Sequence, residues 1–169
     1  MARSVVSAII VTYALAVVQA TIGSRLALAG VAPDLLLVWT VCVGLLSGPR
    51  AGMIVGFACG FLEGSLLQRM IGALAVGKGL SGLAAGLIST RMLREHWLVP
   101  AISAALLTLA NEMVFLALSD RSGGWGYAGR ALGVRILYHA VLAPIMFAAV
   151  VRGRRALAGE RGGRLSDDA

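Results

Sequence analysis

Six ionisable side chains lie within or beside the long apolar stretches of this chain. They are three acids, two bases and one histidine: Asp34, Glu63, Lys78, Glu112, Arg135 and His139. A charged side chain at the centre of a bilayer costs at least ~2.5 kcal/mol, so such residues usually pair with each other or face a cavity. The residue types therefore predict either buried ion pairs that hold a helix bundle together, or a polar pocket or docking surface for partner helices.

The spacings that catalytic sites require are absent from the sequence. There is no HExxH, GxSxG or P-loop motif and no paired-aspartate phosphotransfer motif, and His139 is a lone histidine on an apolar helix. Cys42 and Cys59 fall inside apolar stretches without metal-ligand spacing, so we interpret them as buried reduced thiols. We therefore expect a protein that is not an enzyme and that holds no metal or cofactor.

The composition places these residues in a membrane. Of the 169 residues, 59% are hydrophobic and 14% are charged, and the mean hydropathy is +0.87. A soluble domain has about 25% charged residues, and a helical span needs roughly 20 residues. We predict an all-α membrane protein with one polytopic domain over residues 1–151 and six transmembrane helices, Ser4–Ile22, Ala32–Ser47, Ala51–Leu67, Gly72–Thr90, Trp97–Leu118 and Ala131–Val151.

The ends of the chain and its longest loop allow further predictions. The Val18-Gln19-Ala20 end of the first span could be a signal-peptide cleavage site, but the length of the apolar stretch favours a retained helix. The glycine-rich loop 120–129 contains Trp125 and Tyr127, which suit membrane interfaces. Residues 152–169 are predicted to form a basic, disordered cytoplasmic tail.

The arginine distribution predicts the orientation. Six spans place nine arginines on one side, Arg3, Arg50, Arg91, Arg94, Arg152, Arg154, Arg155, Arg161 and Arg164, and four on the other, Arg25, Arg69, Arg121 and Arg130. The positive-inside rule then puts both termini in the cytoplasm and the six ionisable residues in the outer half of the bilayer. The net charge of +7 reflects this distribution and the basic tail, and aromatic residues are only 6%, so we expect no nucleic-acid partner.

Glycines recur every fourth residue in the third span. The series Gly52, Gly56, Gly60 and Gly64 lies on one helix face, and Gly82 and Gly86 repeat the spacing in the fourth span. Small residues let helix backbones approach closely in lipid. This glycine zipper predicts a packing seam within the bundle, with a homodimer interface as the alternative.

The position of two charged residues beside this seam predicts an ion pair. Glu63 follows Gly60 by three residues, and Lys78 precedes Gly82 by four, so both border the glycine faces. Counting from the helix ends also puts the two residues at similar depth. We therefore predict that Glu63 and Lys78 pair, with Asp34, Glu112 and Arg135 as alternative partners.

Four short motifs resemble those of the rod shape-determining protein MreD family. They are Pro33-Asp34-Leu35-Leu36-Leu37, Gly48-Pro49-Arg50, Gly52-x-x-x-Gly56-Phe57-x-x-Gly60-x-x-Glu63 and Gly72-Ala73-Leu74. The resemblance covers roughly residues 33–74. This chain has Glu63 where the family usually has aspartate, and Lys78 is not part of the expected pattern.

The resemblance implies a non-enzymatic scaffold in the bacterial inner membrane that serves cell shape. Such a protein belongs to the elongasome, the complex for peptidoglycan synthesis during cell elongation. The implied partners are an MreC-like bitopic protein, a RodA-type polymerase with its transpeptidase, and the MreB filament. The implied fold is similar to the substrate-binding subunits of energy-coupling-factor transporters. A small-molecule-binding subunit of such a transporter is therefore the alternative function.

Overall fold

The computed structural model describes residues 2–23, 25, 27, 30–68, 70–91, 98–118 and 125–166. Within this part of the chain lie six α-helices: α1 (Ala2–Ile22), α2 (Leu35–Ser47), α3 (Pro49–Leu67), α4 (Ile71–Arg91), α5 (Leu98–Leu118) and α6 (Trp125–Ser166). By length and apolar composition, the stretches Pro49–Leu67, Ile71–Ser89 and Ala131–Arg155 could cross a membrane. The apolar stretches Ser7–Thr21, Leu35–Ser47 and Leu98–Val114 are shorter.

Helix α2 forms the centre of the bundle. Every residue from Leu35 to Leu45 is buried, and α2 contacts each of the other five helices. Its sequence is apolar on all sides, as is typical of a helix enclosed by other helices. With 13 residues, it is about 20 Å long, shorter than the ~30 Å hydrocarbon core of a bilayer. Helix α2 alone is therefore too short to cross a bilayer.

The residues around α2 pack in three apolar clusters. The first joins Leu36, Trp39 and Val43 of α2 to Ala16 of α1 and Cys59 of α3. The second joins Val38 and Cys42 to Ala104 of α5 and Ala143 of α6. The third joins Val41 and Leu45 to Ala85 of α4 and Leu107 of α5. Alanine and cysteine on the outer helices leave room for the larger side chains of α2, and both cysteine thiols are free and buried.

Helices α3 and α4 run antiparallel along the glycine seam. The facing positions are Gly52 and Gly82, Gly56 and Lys78, Gly60 and Leu74, and Gly64 and Ile71. A Cβ added to any of these four α3 glycines would lie under 3.0 Å from the α4 backbone. Gly86 packs in the same way against Pro49. The seam therefore packs within a single chain.

A sharp turn brings α2 and α3 together. Gly48 is the single residue between them, and its φ of 88° lies in the left-handed region that favours glycine. Pro49 then begins α3, where a missing backbone N–H costs nothing. The tight connection keeps the seam glycines of α3 close to Gly44 of α2, which also contacts Gly82.

Three helix ends differ from the sequence prediction by three residues or more. Helix α2 begins at Leu35 instead of Ala32, because Pro33 and the capping residue Asp34 precede its first turn. Helix α6 begins at Trp125, inside the predicted loop 120–129, and it continues to Ser166 through the segment for which we expected disorder. Alanine, leucine, arginine and glutamate after Val151 favour helix and allow this continuation.

Candidate functional site

Lys78 is the centre of a buried polar cluster between α2, α3 and α4. Its side chain is fully buried, and its Nζ lies 2.5 Å from Asp34 Oδ2 and also forms an ion pair with Glu63. Helical side chains lean toward the N-terminus of their helix, which directs Lys78 from the level of Gly56 toward Glu63. The predicted pair between Glu63 and Lys78 is therefore confirmed, and Asp34 is an additional partner of the same ammonium group.

The glycine seam creates the space for this lysine. Gly56 packs directly against the backbone of Lys78, and Gly60 packs against Leu74 one turn earlier in α4. A larger residue at either glycine would push α3 away from α4 and separate Glu63 from the Lys78 ammonium. The seam and the ion pairs are thus parts of one arrangement.

The backbone at the start of α2 is satisfied by side chains from three helices. Asp34 Oδ1 accepts from Leu37 N–H at 2.8 Å as the N-cap. Gln19 of α1 accepts from Leu36 N–H at 3.1 Å, and His139 of α6 accepts from Asp34 N–H at 2.9 Å. Unpaired N–H groups are costly in a membrane, so these contacts allow α2 to begin inside the bundle.

His139 is held in one tautomer by its two hydrogen bonds. Its Nε2 accepts from the backbone of Asp34, so the ring proton must be on Nδ1. Nδ1 lies 2.8 Å from Thr108 Oγ1, and the Thr108 hydroxyl donates to Ala104 O at 2.6 Å. Both ring nitrogens are therefore occupied, which makes His139 a structural link between α2, α5 and α6.

Gln19 connects α1 to the same cluster. While its Oε1 caps Leu36, its Nε2 donates to Glu63 Oε1 at 3.3 Å. A second polar contact between α1 and α2 is the bond from Trp39 Nε1 to Thr12 Oγ1, at 2.9 Å. In the sequence, Gln19 is considered only as part of a possible cleavage site at the end of the first span. A glutamine in an apolar helix is, however, itself a signal of polar contacts.

Glu112 and Arg135 form a separate ion pair between α5 and α6. Glu112 lies one turn after Thr108, and Arg135 lies one turn before His139. The pair is therefore next to the histidine network, at the same end of the bundle. It is more exposed than Lys78, because 34% of the Arg135 side chain remains accessible.

The charges of the cluster largely satisfy one another. The three groups Asp34, Lys78 and Glu63 sum to one negative charge, and the positive end of the α2 dipole lies beside Asp34. Within the described residues, no group of three or more histidines, cysteines, aspartates or glutamates is arranged to bind a metal ion. The two ion pairs of Lys78 join α4 to α3 and to the start of α2.

Comparison with known families agrees with this architecture. A family model described as rod shape-determining protein MreD matches residues 2–151, from the start of α1 into the apolar stretch of α6. No curated protein matches the chain, and no solved structure matches it. Because the match extends over most of the chain, and over all six helices, this integral membrane protein belongs to the MreD family of rod shape-determining proteins.

Proposed function

We propose that this chain is a non-enzymatic scaffold of the bacterial cell-elongation complex. Membership of a rod shape-determining family is the observation that carries the proposal. The proposed partners are an MreC-like bitopic protein, a RodA-type polymerase with its transpeptidase, and the MreB filament. In this role the helix bundle provides a stable surface in the inner membrane on which partner helices assemble.

The polar cluster supports a scaffold over a carrier of small molecules. A substrate-binding subunit of an energy-coupling-factor transporter needs unoccupied polar groups that converge on its ligand. Here Lys78 is fully buried between Asp34 and Glu63, and both nitrogens of His139 are bonded within the protein. These contacts favour a bundle joined by its own charges, so the transporter function remains the alternative to be tested.

The scaffold is proposed to have six spans with both termini in the cytoplasm. The six helices alternate in direction if all of them cross, and the arginine distribution then follows the positive-inside rule. The short helix α2 can complete its crossing through residues 31–34, which precede it. Cysteine-accessibility labelling of a cysteine added after Ala169, compared with one placed in residues 120–124, tests this topology. A C-terminal cysteine that is labelled from the periplasm would contradict it.

Deletion of the gene from a rod-shaped host tests the proposed function. We expect the cells to become round and to recover their rod shape when the chain is supplied from a plasmid. The matched control is a plasmid carrying Ala58→Leu, since Ala58 is exposed on α3 away from the seam. Normal rod growth of the deletion strain, together with defective uptake of a vitamin, would instead support the transporter function.

A further inference from the structure

Arginines from three helices lie at the end of the bundle opposite the polar cluster. Arg50 is in the first turn of α3, and Arg154 Nη2 donates to Ser47 Oγ at 2.7 Å, which holds α6 against the end of α2. Arg91 ends α4 five residues after Gly86, which packs on Pro49. Arg152 and Arg155 flank Arg154 on α6 and are exposed.

This positive charge has few acidic neighbours. The acids whose side chains the structure describes, Asp34, Glu63 and Glu112, lie at the other end of the bundle and pair there with Lys78 or Arg135. Among the residues that the structure describes, no salt bridge involves Arg50, Arg152, Arg154 or Arg155. The first turn of α3 has no side-chain cap, so its positive dipole end adds to the charge of this surface.

The contact between Arg154 and Ser47 shows where this surface lies along the axis of the bundle. Ser47 is the last residue of α2, at the turn where the apolar helices α2 and α3 meet. The apolar stretch of α6 ends in the same region, at Arg155. The arginines therefore lie where the hydrocarbon core ends and phosphate headgroups begin. Beyond Arg154, α6 continues to Ser166, a further ~18 Å along its axis.

We propose that this arginine-rich end, formed by Arg50, Arg152, Arg154 and Arg155, binds the phosphate headgroups of anionic lipids. Guanidinium groups bind phosphate oxygens through paired hydrogen bonds, and basic residues beside a membrane span attract anionic lipids. The lipid anchors the ends of α2, α3 and α6 to each other without a protein acid. The inference rests on the membrane-spanning arrangement proposed above, but it does not depend on which elongation proteins bind.

Native mass spectrometry of the full chain tests this proposal. The protein is purified in mild detergent and titrated with dioleoylphosphatidylglycerol or with dioleoylphosphatidylcholine. We expect the anionic lipid to bind preferentially, and the double variant Arg152→Gln/Arg155→Gln to weaken its binding about thirtyfold. Neither arginine has an ion-pair partner among the described residues, so the folded state should survive, as size-exclusion chromatography can verify. Arg25→Gln is the matched control, since Arg25 is exposed after α1 at the other end.

Varying the salt concentration and the type of lipid provides the outcomes that would overturn the proposal. At an ionic strength of about 1 M the Debye length is about 3 Å, so the preference for the anionic lipid should largely disappear. Equal binding of both lipids by the wild-type chain would overturn the proposal. Unchanged binding of the anionic lipid by the double variant would also overturn it, because the lipid would then bind elsewhere on the chain. These outcomes are independent of cell shape and of partner co-purification.

Discussion

Replacement of Lys78 by methionine should destabilise the bundle more than any other single change in the polar cluster. Lys78 is fully buried, whereas Asp34 and Glu63 keep 16% and 13% of their side chains exposed. Lys78→Met leaves two nearly buried carboxylates without their shared counter-ion, and breaking a buried pair costs ~3–5 kcal/mol. Since unfolding temperatures of chains this size fall by about 2–4 °C per kcal/mol, we expect a decrease of roughly 10 °C.

Neutralising the acids should reverse much of this loss. Glu63→Gln alone leaves Lys78 paired with Asp34, so its cost should be smaller, about 1.5–3 kcal/mol. Adding Glu63→Gln to Lys78→Met removes one of the two orphan charges. The triple variant with Asp34→Asn removes both, and asparagine still caps the start of α2. We therefore expect the stability to rise stepwise from the single to the triple variant.

The assay is thermal unfolding of purified variants in mild detergent, followed by size-exclusion chromatography of the soluble fraction. Arg135→Gln is the matched control. About one third of the Arg135 side chain is exposed, so its ion pair with Glu112 should contribute less to the stability of the bundle. Strictly additive losses in the triple variant would refute the reasoning, because they would show that the three charges do not interact. An unchanged unfolding temperature for Lys78→Met would refute it as well.

Three further substitutions test the contacts around the cluster. Gly60→Leu should overpack the α3–α4 seam, which should destabilise the folded state by about 1–3 kcal/mol or more and lower the folded yield. Ala58→Leu, on the exposed face of α3, should leave the yield unchanged, and equal yields of the two variants would disprove the seam. Gln19→Ala should cost ~1–3 kcal/mol in thermal unfolding because Leu36 N–H loses its acceptor, while Thr21→Ala, which breaks an exposed bond, should cost little. His139→Phe should leave the Asp34 N–H unpaired at a similar cost, and an unfolding temperature equal to that of wild type would show that this bond is dispensable.

The sequence is most informative where one helix presents a repeated pattern. The four-residue spacing of Gly56 and Gly60 defines a face without knowledge of any other helix, and Glu63 and Lys78 are placed relative to that face by counting. This is why their ion pair is predictable. The apolar composition predicts helices in a membrane for the same local reason.

Contacts that depend on the three-dimensional arrangement of several helices could not be assigned from the sequence. Asp34 is only an alternative partner in the sequence, and it joins Lys78 because α2 begins inside the bundle, beside α3 and α4. The link from His139 to Thr108 requires a specific rotation of α6 against α5. Gln19 is a visible polar residue in an apolar helix, but its two partners lie on different helices. Helix phase alone does not determine which neighbours a side chain meets.

The proteins that co-purify with the tagged chain test the central claim most directly. The chain would be expressed in its rod-shaped host at native level, extracted in mild detergent and captured through a tag, with the partners identified by mass spectrometry. The scaffold account predicts an MreC-like bitopic protein together with a RodA-type polymerase, enriched over a capture from cells with untagged chain. Recovery of a transporter ATPase and its membrane coupling subunit, without these elongation proteins, would contradict the account.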